Sequence, residues 1–198
     1  MENPCLTFAT ASLLAGDRSL EFVIAHEISH SWTGNLVTNE NWHNFWLNEG
    51  FTTFIQRKIT ELIYGEDMAN LEASVQYKAL DTDIKNIGVN SNYTSLYPST
   101  GKHDPEDACS SVPYEKGATF LYYLQELVKK DKFQIIVKEF IKKFRLQSVN
   151  YEDWKDHFES QVRGLFPNEE ANMIISSVDW NAWIFKSGYP PKKFAYSK

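Results

Sequence analysis

His26, Glu27 and His30 occur in the order His-Glu-x-x-His, and Glu49 follows within Trp46-Leu47-Asn48-Glu49-Gly50. On a helix, positions four apart lie nearly above one another, so the imidazoles of His26 and His30 can converge on one metal ion. Glu27 lies about 100° further round and is better placed to reach a water on the metal than the metal itself. Catalytic zinc takes three protein ligands and leaves its fourth tetrahedral position open. Glu49 fits as the third ligand. Zinc lowers the pKa of its water towards about 7, and the Glu27 carboxylate can take the proton as attack proceeds. The chemistry implied is hydrolysis at a single Zn2+ per chain.

A bare His-Glu-x-x-His also arises on ordinary charged helices, where both histidines are solvent residues. Here Ile24, Ala25 and Ile28 make the same helix apolar. That predicts a buried or cleft-lining element, whose ionisable groups need a partner such as a metal. His43, His103 and His157 lack any such pairing and are expected at the surface or as capping residues.

Helices must carry these groups, because helix-period patterns dominate and long alternating strand patterns are missing. The fold class expected is mainly α. Leu6 to Thr10 reads as a short strand, and Ser19 to Thr33 as the helix bearing the histidines, stopped at Gly34. A polar exit, Asn35 to Asn41, loops back. A second helix runs from Phe45 to Tyr64, with Phe51, Phe54, Ile55, Ile59, Leu62 and Ile63 as its apolar stripe and Gly65 as its stop. Trp32, Trp42, Phe45 and Trp46 are assigned to packing. A third helix covers Asp67 to Leu80, and residues Asp81 to Cys109 lose periodicity and read as one long loop. Pro113 opens a helix to Lys129. Phe133 to Phe144 marks another, and Trp154, Phe158 and Val162 mark one capped by Asn150 with Asp153 three residues on. Short helices follow at Asn168 to Ser176 and Asp179 to Phe185, before Gly188-Tyr189-Pro190-Pro191 breaks the pattern.

The chain has 198 residues, 42% of them hydrophobic, and a net charge of −6. That is enough for one good core. Basic residues are dispersed apart from pairs such as Lys129-Lys130 and Lys142-Lys143 on helix exteriors, so nucleic-acid binding is disfavoured. Two cysteines, Cys5 and Cys109, make no disulfide framework, and a reducing, cytoplasmic compartment is the simpler expectation. No apolar run is long enough for a membrane span, and no signal-like segment opens the sequence.

Met1-Glu2-Asn3, the His26 to His30 motif, Glu49 and Ser110-Ser111-Val112-Pro113-Tyr114-Glu115-Lys116-Gly117 occur in the order and kind seen in the gluzincin zinc aminopeptidases. The chain resembles that family over nearly its whole length. Asn3 to Phe8, His30 to Thr38 and Asp179 to Trp183 are most similar to its leukotriene A4 hydrolase and aminopeptidase B branch. The resemblance implies the helical part of a thermolysin-like zinc metallopeptidase domain over residues 1–189. It also implies an exit linker at 190–198 towards a further helical domain, and earlier sheet strands and a β-rich domain ahead of Met1.

The same resemblance assigns roles. Glu2 matches the glutamate that binds the free α-amine of a peptide, so the implied partner is a peptide with a free amino terminus. Tyr114 matches the tyrosine that hydrogen-bonds the tetrahedral intermediate, an interaction that exists mainly in the transition state. Asn48 and Gly50 are expected to help place Glu49. Epoxide hydrolysis at the same zinc is an alternative. That branch has a second tyrosine five residues before the catalytic one and an aspartate eight before, where this chain has Cys109 and Glu106. Those two departures favour peptide cleavage. A catalytically silent metal-binding domain is the third reading.

Overall fold

The computed structural model describes residues 1–99 and 109–193. Its helices are α1 (Glu21–Ser29), α2 (Trp46–Tyr64), α3 (Glu66–Ile87), α4 (Gly117–Val128), α5 (Lys130–Lys143), α6 (Tyr151–Leu165), α7 (Asn168–Ser177) and α8 (Trp180–Ile184). A π-helical turn, Val112–Lys116, runs directly into α4. The strands β1 (Val37–Asn39) and β2 (Gln147–Val149) pair in parallel, with Val37 opposite Gln147 and Asn39 opposite Val149. The architecture is mainly α, as the helical periodicity predicts.

Helix α2 is the centre of the molecule, because α1, α3, the π turn and α4 all pack against it. Large side chains from distant segments fill the space around it: Trp46, Phe51, Phe120, Phe133, Phe140, Trp154, Phe158 and Trp183 are all buried. Phe51 meets Trp154 edge-on at 4.8 Å and stacks near Phe140 at 5.6 Å. Such pairs add about 0.5–1.5 kcal/mol each beyond the area they bury. Helix α6 starts as the sequence predicts. Asn150 Oδ1 accepts from the Glu152 and Asp153 amides, and the Asp153 carboxylate accepts from the Asn150 amide.

Several expectations are corrected. Leu6 to Thr10 is not a strand. A strand exists by pairing its backbone, and here Leu6 N bonds Asn3 O and Phe8 N bonds Met1 O, closing local turns. A 3-10 turn, Ala11–Leu13, follows. The parallel pair forms instead at Val37–Asn39, inside the stretch read as a polar exit. Three residues are too short to show alternation, and the pairing depends on Gln147–Val149, far away in sequence. Helix α3 continues to Ile87, since Leu80 and Ile84 bury against Val112 and extend its apolar side into the segment read as loop.

Burial also departs from expectation along α1 and α2. Ile24 and Ile28 are 40% and 50% exposed, so the apolar side of α1 faces outwards. Leu62 and Ile63 are exposed as well, and the stripe of α2 effectively ends at Ile59. Trp46 is packed in the core, but Trp32 and Trp42 are largely exposed. His157 is no surface residue: it is buried, with Nε2 2.9 Å from the Ile136 carbonyl oxygen. His43 is partly buried against the Pro98 carbonyl. His103, Glu106 and the end of the exit linker lie outside the described residues. Among the described residues, no helix is long and apolar enough to cross a membrane.

Candidate metal centre and active site

Helix α1 places His26 and His30 one turn apart, and the first turn of α2 brings Glu49 to them. His26 Nε2 lies 3.2 Å from His30 Nε2 and 3.2 Å from Glu49 Oε2, and His30 Nε2 lies 3.4 Å from Glu49 Oε2. A tetrahedral ion with bonds of about 2.0–2.1 Å separates its ligand atoms by about 3.3 Å. The triangle therefore has the dimensions of a zinc site. Its chemistry fits too, since all three atoms offer lone pairs to one point, and a cation there resolves their crowding.

The far side of each ring fixes which nitrogen faces inwards. His30 Nδ1 is 2.9 Å from the Thr33 carbonyl oxygen, which only accepts, so Nδ1 carries the proton and Nε2 keeps its lone pair. His26 Nδ1 is 2.9 Å from Gln56 Oε1. Gly34 protects this arrangement. Its φ is +123°, and a side chain added there would meet His30 Nδ1 at 3.0 Å.

Electrostatics couple the three groups. Burial alone would raise the Glu49 pKa, but the neighbouring imidazoles of His26 and His30 outweigh it and hold the carboxyl below its ordinary value. Burial opposes charge on His30, yet Glu49 raises it overall.

Tyr114 sits in the π turn, its ring 5.9 Å from that of His26 in a stacked arrangement and edge-on to Phe45 at 6.4 Å. Burial first, then the charges of Glu49 and Glu2, push its phenol well above the ordinary range. It stays protonated and able to donate. His26, Glu27, Gln56 and Tyr114 line one cleft of about 440 Å³. The ammonium of Met1 reaches into the same region, 3.0 Å from Glu27 Oε2. Glu2 is half-buried nearby: its carbonyl accepts from Asn35 Nδ2 at 2.7 Å, and its charge acts on both Tyr114 and His30. The structure thus brings His26, His30 and Glu49 together, sets Glu27 and Tyr114 on the adjoining cleft, and leaves Glu2 close enough for its charge to act on Tyr114 and His30.

Residues beyond these six hold the site in place, Gly50 and Asn48 among them, as the sequence reading expects. Gly50 and Gly117 cross in backbone contact, so that a methyl group on Gly50 would meet Gly117 Cα at 2.8 Å. The buried guanidinium of Arg57 donates to both carboxylate oxygens of Glu115, at 2.7 and 2.6 Å. Lys116 Nζ is buried and donates to the carbonyls of Thr94, Lys186 and Gly188 at 2.8, 2.8 and 2.9 Å. The glycine crossing and the Arg57–Glu115 pair fasten the Tyr114 segment to the helix bearing Glu49, and Lys116 ties it to the chain at Thr94, Lys186 and Gly188. Asn48 contributes by accepting from the Asn39 amide at 3.0 Å, tying the start of α2 to β1. Gln56 had a signal in the sequence, since it lies two turns after Glu49 on the same helix face. Arg57 and Glu115 had none, because only the folded chain makes them neighbours.

The model for the peptidase family M1 domain matches residues 1–183. Leucine aminopeptidase 2 of Ajellomyces capsulatus is 43% identical over 97% of this chain, which covers 30% of that protein. Leukotriene A-4 hydrolase of Xenopus laevis is 45% identical over 99% of this chain and 31% of its own length. The chain thus spans about a third of the length of these relatives. Among solved structures, yeast LTA4 hydrolase in complex with bestatin superposes with a TM-score of 0.91 at 38% identity, over 98% of this chain and 30% of that one. An M1 zinc metallopeptidase from Deinococcus radiodurans shares the fold at a TM-score of 0.71 and 22% identity, over 96% and 37% of the two chains. With a family model matched along nearly the whole sequence, this chain belongs to peptidase family M1.

Proposed function

We propose that this chain carries the catalytic apparatus of a zinc aminopeptidase, which removes residues from the free amino terminus of peptides. The observation that supports this most directly is the triangle of His26 Nε2, His30 Nε2 and Glu49 Oε2, sized for zinc and opening on the cleft shared by Glu27 and Tyr114. A zinc ion held there supplies Lewis-acid polarisation of the scissile carbonyl and a water of lowered pKa. Glu27 accepts the proton released on attack and passes it to the leaving amine. The Tyr114 phenol donates to the oxygen on which negative charge develops. Glu2 receives the substrate's ammonium, which confines cleavage to the first peptide bond.

The names of the relatives cover both hydrolytic readings, since one is a leucine aminopeptidase and another a leukotriene A-4 hydrolase. Peptide cleavage is favoured here because Cys109, not a tyrosine, precedes Tyr114 by five residues. The test is Glu27→Gln, which keeps one zinc per chain and loses turnover of an aminoacyl anilide. His30→Ala should lose the metal itself, as elemental analysis would show. Substantial anilide turnover by pure Glu27→Gln protein sinks the assignment. A lipid epoxide assayed alongside separates the two hydrolytic readings.

A further inference from the structure

His26 differs from His30 in what meets its outer nitrogen. His30 Nδ1 faces a fixed backbone carbonyl, whereas His26 Nδ1 faces the side-chain amide of Gln56, which can turn either way. Oxygen and nitrogen of an amide have nearly the same shape, so the orientation follows from its other partner. That partner is Glu72 on α3. Gln56 Nε2 donates to Glu72 Oε1, and Glu72 Oε2 accepts from Thr60 Oγ1 at 2.8 Å. Both oxygens of Glu72 accept, so it is the NH2 of Gln56 that faces it. Gln56 Oε1 then points at His26, where it can only accept, and His26 must hold its proton on Nδ1. The lone pair is left on Nε2, which faces His30 Nε2 and Glu49 Oε2.

We propose that Glu72 is a positioning residue for the metal site: acting through Gln56, it fixes the tautomer of His26 that presents an unprotonated Nε2 to zinc. The inference rests on the metal reading given above. The alternative tautomer shows why this matters. If Gln56 turned over, its NH2 would face His26 and hold the ring as Nε2–H. That proton would bond Glu49 Oε2, 3.2 Å away, and occupy the point where the three lone pairs meet. Zinc would then have to displace a proton and turn an amide before binding. Glu72 is placed to prevent this, with one oxygen committed to Thr60 and the other to Gln56. Gln56 itself is buried, at 5% exposure, and Glu72 is half-buried where α3 packs on α2.

Glu72→Gln tests this without changing side-chain size, since glutamine at 72 accepts or donates and leaves Gln56 free to turn. In the metal-free protein, imidazole 15N shifts should move from Nδ1–H to a mixture of tautomers at His26 and stay unchanged at His30. The zinc Kd, measured by chelator competition, should weaken by about 10- to 100-fold, the range typical for partners of metal-binding histidines. Glu72→Gln combined with Gln56→Glu places a carboxylate directly on His26 Nδ1, and should return the affinity to within about threefold of wild type. Thr60→Val frees one oxygen of Glu72 and should act in the same direction but less. It carries the test if Glu72→Gln fails to fold. A zinc Kd within about twofold of wild type for Glu72→Gln, or a double variant no tighter than the single, overturns the proposal. The two readings fail separately. A wild-type chain that binds no zinc while His26 is Nδ1–H refutes the metal reading, whereas zinc binding with a His26 tautomer indifferent to residue 72 refutes the relay.

Discussion

The crossing of Gly50 and Gly117 lies one residue after Glu49 and three after Tyr114, so it sets how far the metal-ligand helix stands from the phenol. Gly50→Ala puts a methyl 2.8 Å from Gly117 Cα, 3.0 Å from Gly117 C and 3.1 Å from the Pro113 carbonyl oxygen. Non-bonded carbons rest at about 3.5–4.0 Å, so the backbones must part by about 0.7–1.2 Å. No contacting atom is the loose end of a side chain. The whole of α2 has to withdraw from the π turn, and the bidentate Arg57–Glu115 pair further along the same interface resists that movement.

Overpacking of this kind costs about 1–3 kcal/mol. For a chain of this size, about 2 kcal/mol lowers the melting temperature by roughly 4–8 °C. A misplacement of about 1 Å between reacting groups costs on the order of 100-fold in rate. The expected result is therefore a folded protein with reduced Tm whose kcat for an aminoacyl anilide, at saturating zinc, is about 100-fold lower. Gly164→Ala is the control. Nothing lies within 4 Å of the added methyl, so it should gain about 0.5–1 kcal/mol of helix propensity and leave the rate unchanged. Wild-type Tm and kcat in Gly50→Ala would refute the reasoning, because the contact would then set neither packing nor geometry.

Other perturbations probe other parts of the molecule. Glu115→Gln removes the carboxylate that faces the buried Arg57 guanidinium and should cost about 3–5 kcal/mol in denaturant unfolding, whereas the paired replacement Arg57→Met with Glu115→Leu should be near neutral. Equal losses in both would mean that the charges themselves are not what matters. Asn150→Ala removes the capping box of α6 and should cost about 1–2 kcal/mol by urea titration. Chelation of zinc held at about 100 times its Kd should remove about 2.7 kcal/mol, a fall of roughly 5–10 °C in Tm. An unchanged melting curve on chelation would argue against a metal bound preferentially by the folded state. Gly34→Ala, strained by its φ of +123° and pressing on His30 Nδ1, should weaken zinc binding as measured by chelator competition.

Much of the helical architecture was readable because its signals are local. The capping box at Asn150 and Asp153 is spelled within four residues, and the apolar spacing of Phe133 to Phe144 repeats over several turns. The misreadings share the opposite property. His157 looked like a surface residue because its partner, the Ile136 carbonyl, belongs to another helix. The last two turns of α3 looked like loop because their burial depends on Val112. Ile24 and Ile28 looked like core because composition says nothing about which side of a helix has a neighbour.

The metal site divides along the same line. By itself the sequence determined that His26 and His30 share one face of a helix with Glu27 beside them, since a four-residue spacing and a fixed helical pitch leave little choice. Only the tertiary structure decided the rest. It brought Glu49 to 3.2 Å from His26, opposed Tyr114 to the same ring, turned each histidine with Thr33 and Gln56, and set Glu72 behind Gln56. Those distances are fixed by helices pressed together at Gly50 and Gly117 and pinned by Arg57 and Glu115. Contacts between residues far apart in the chain leave no periodic trace in it, because they are set by packing and not by helical pitch.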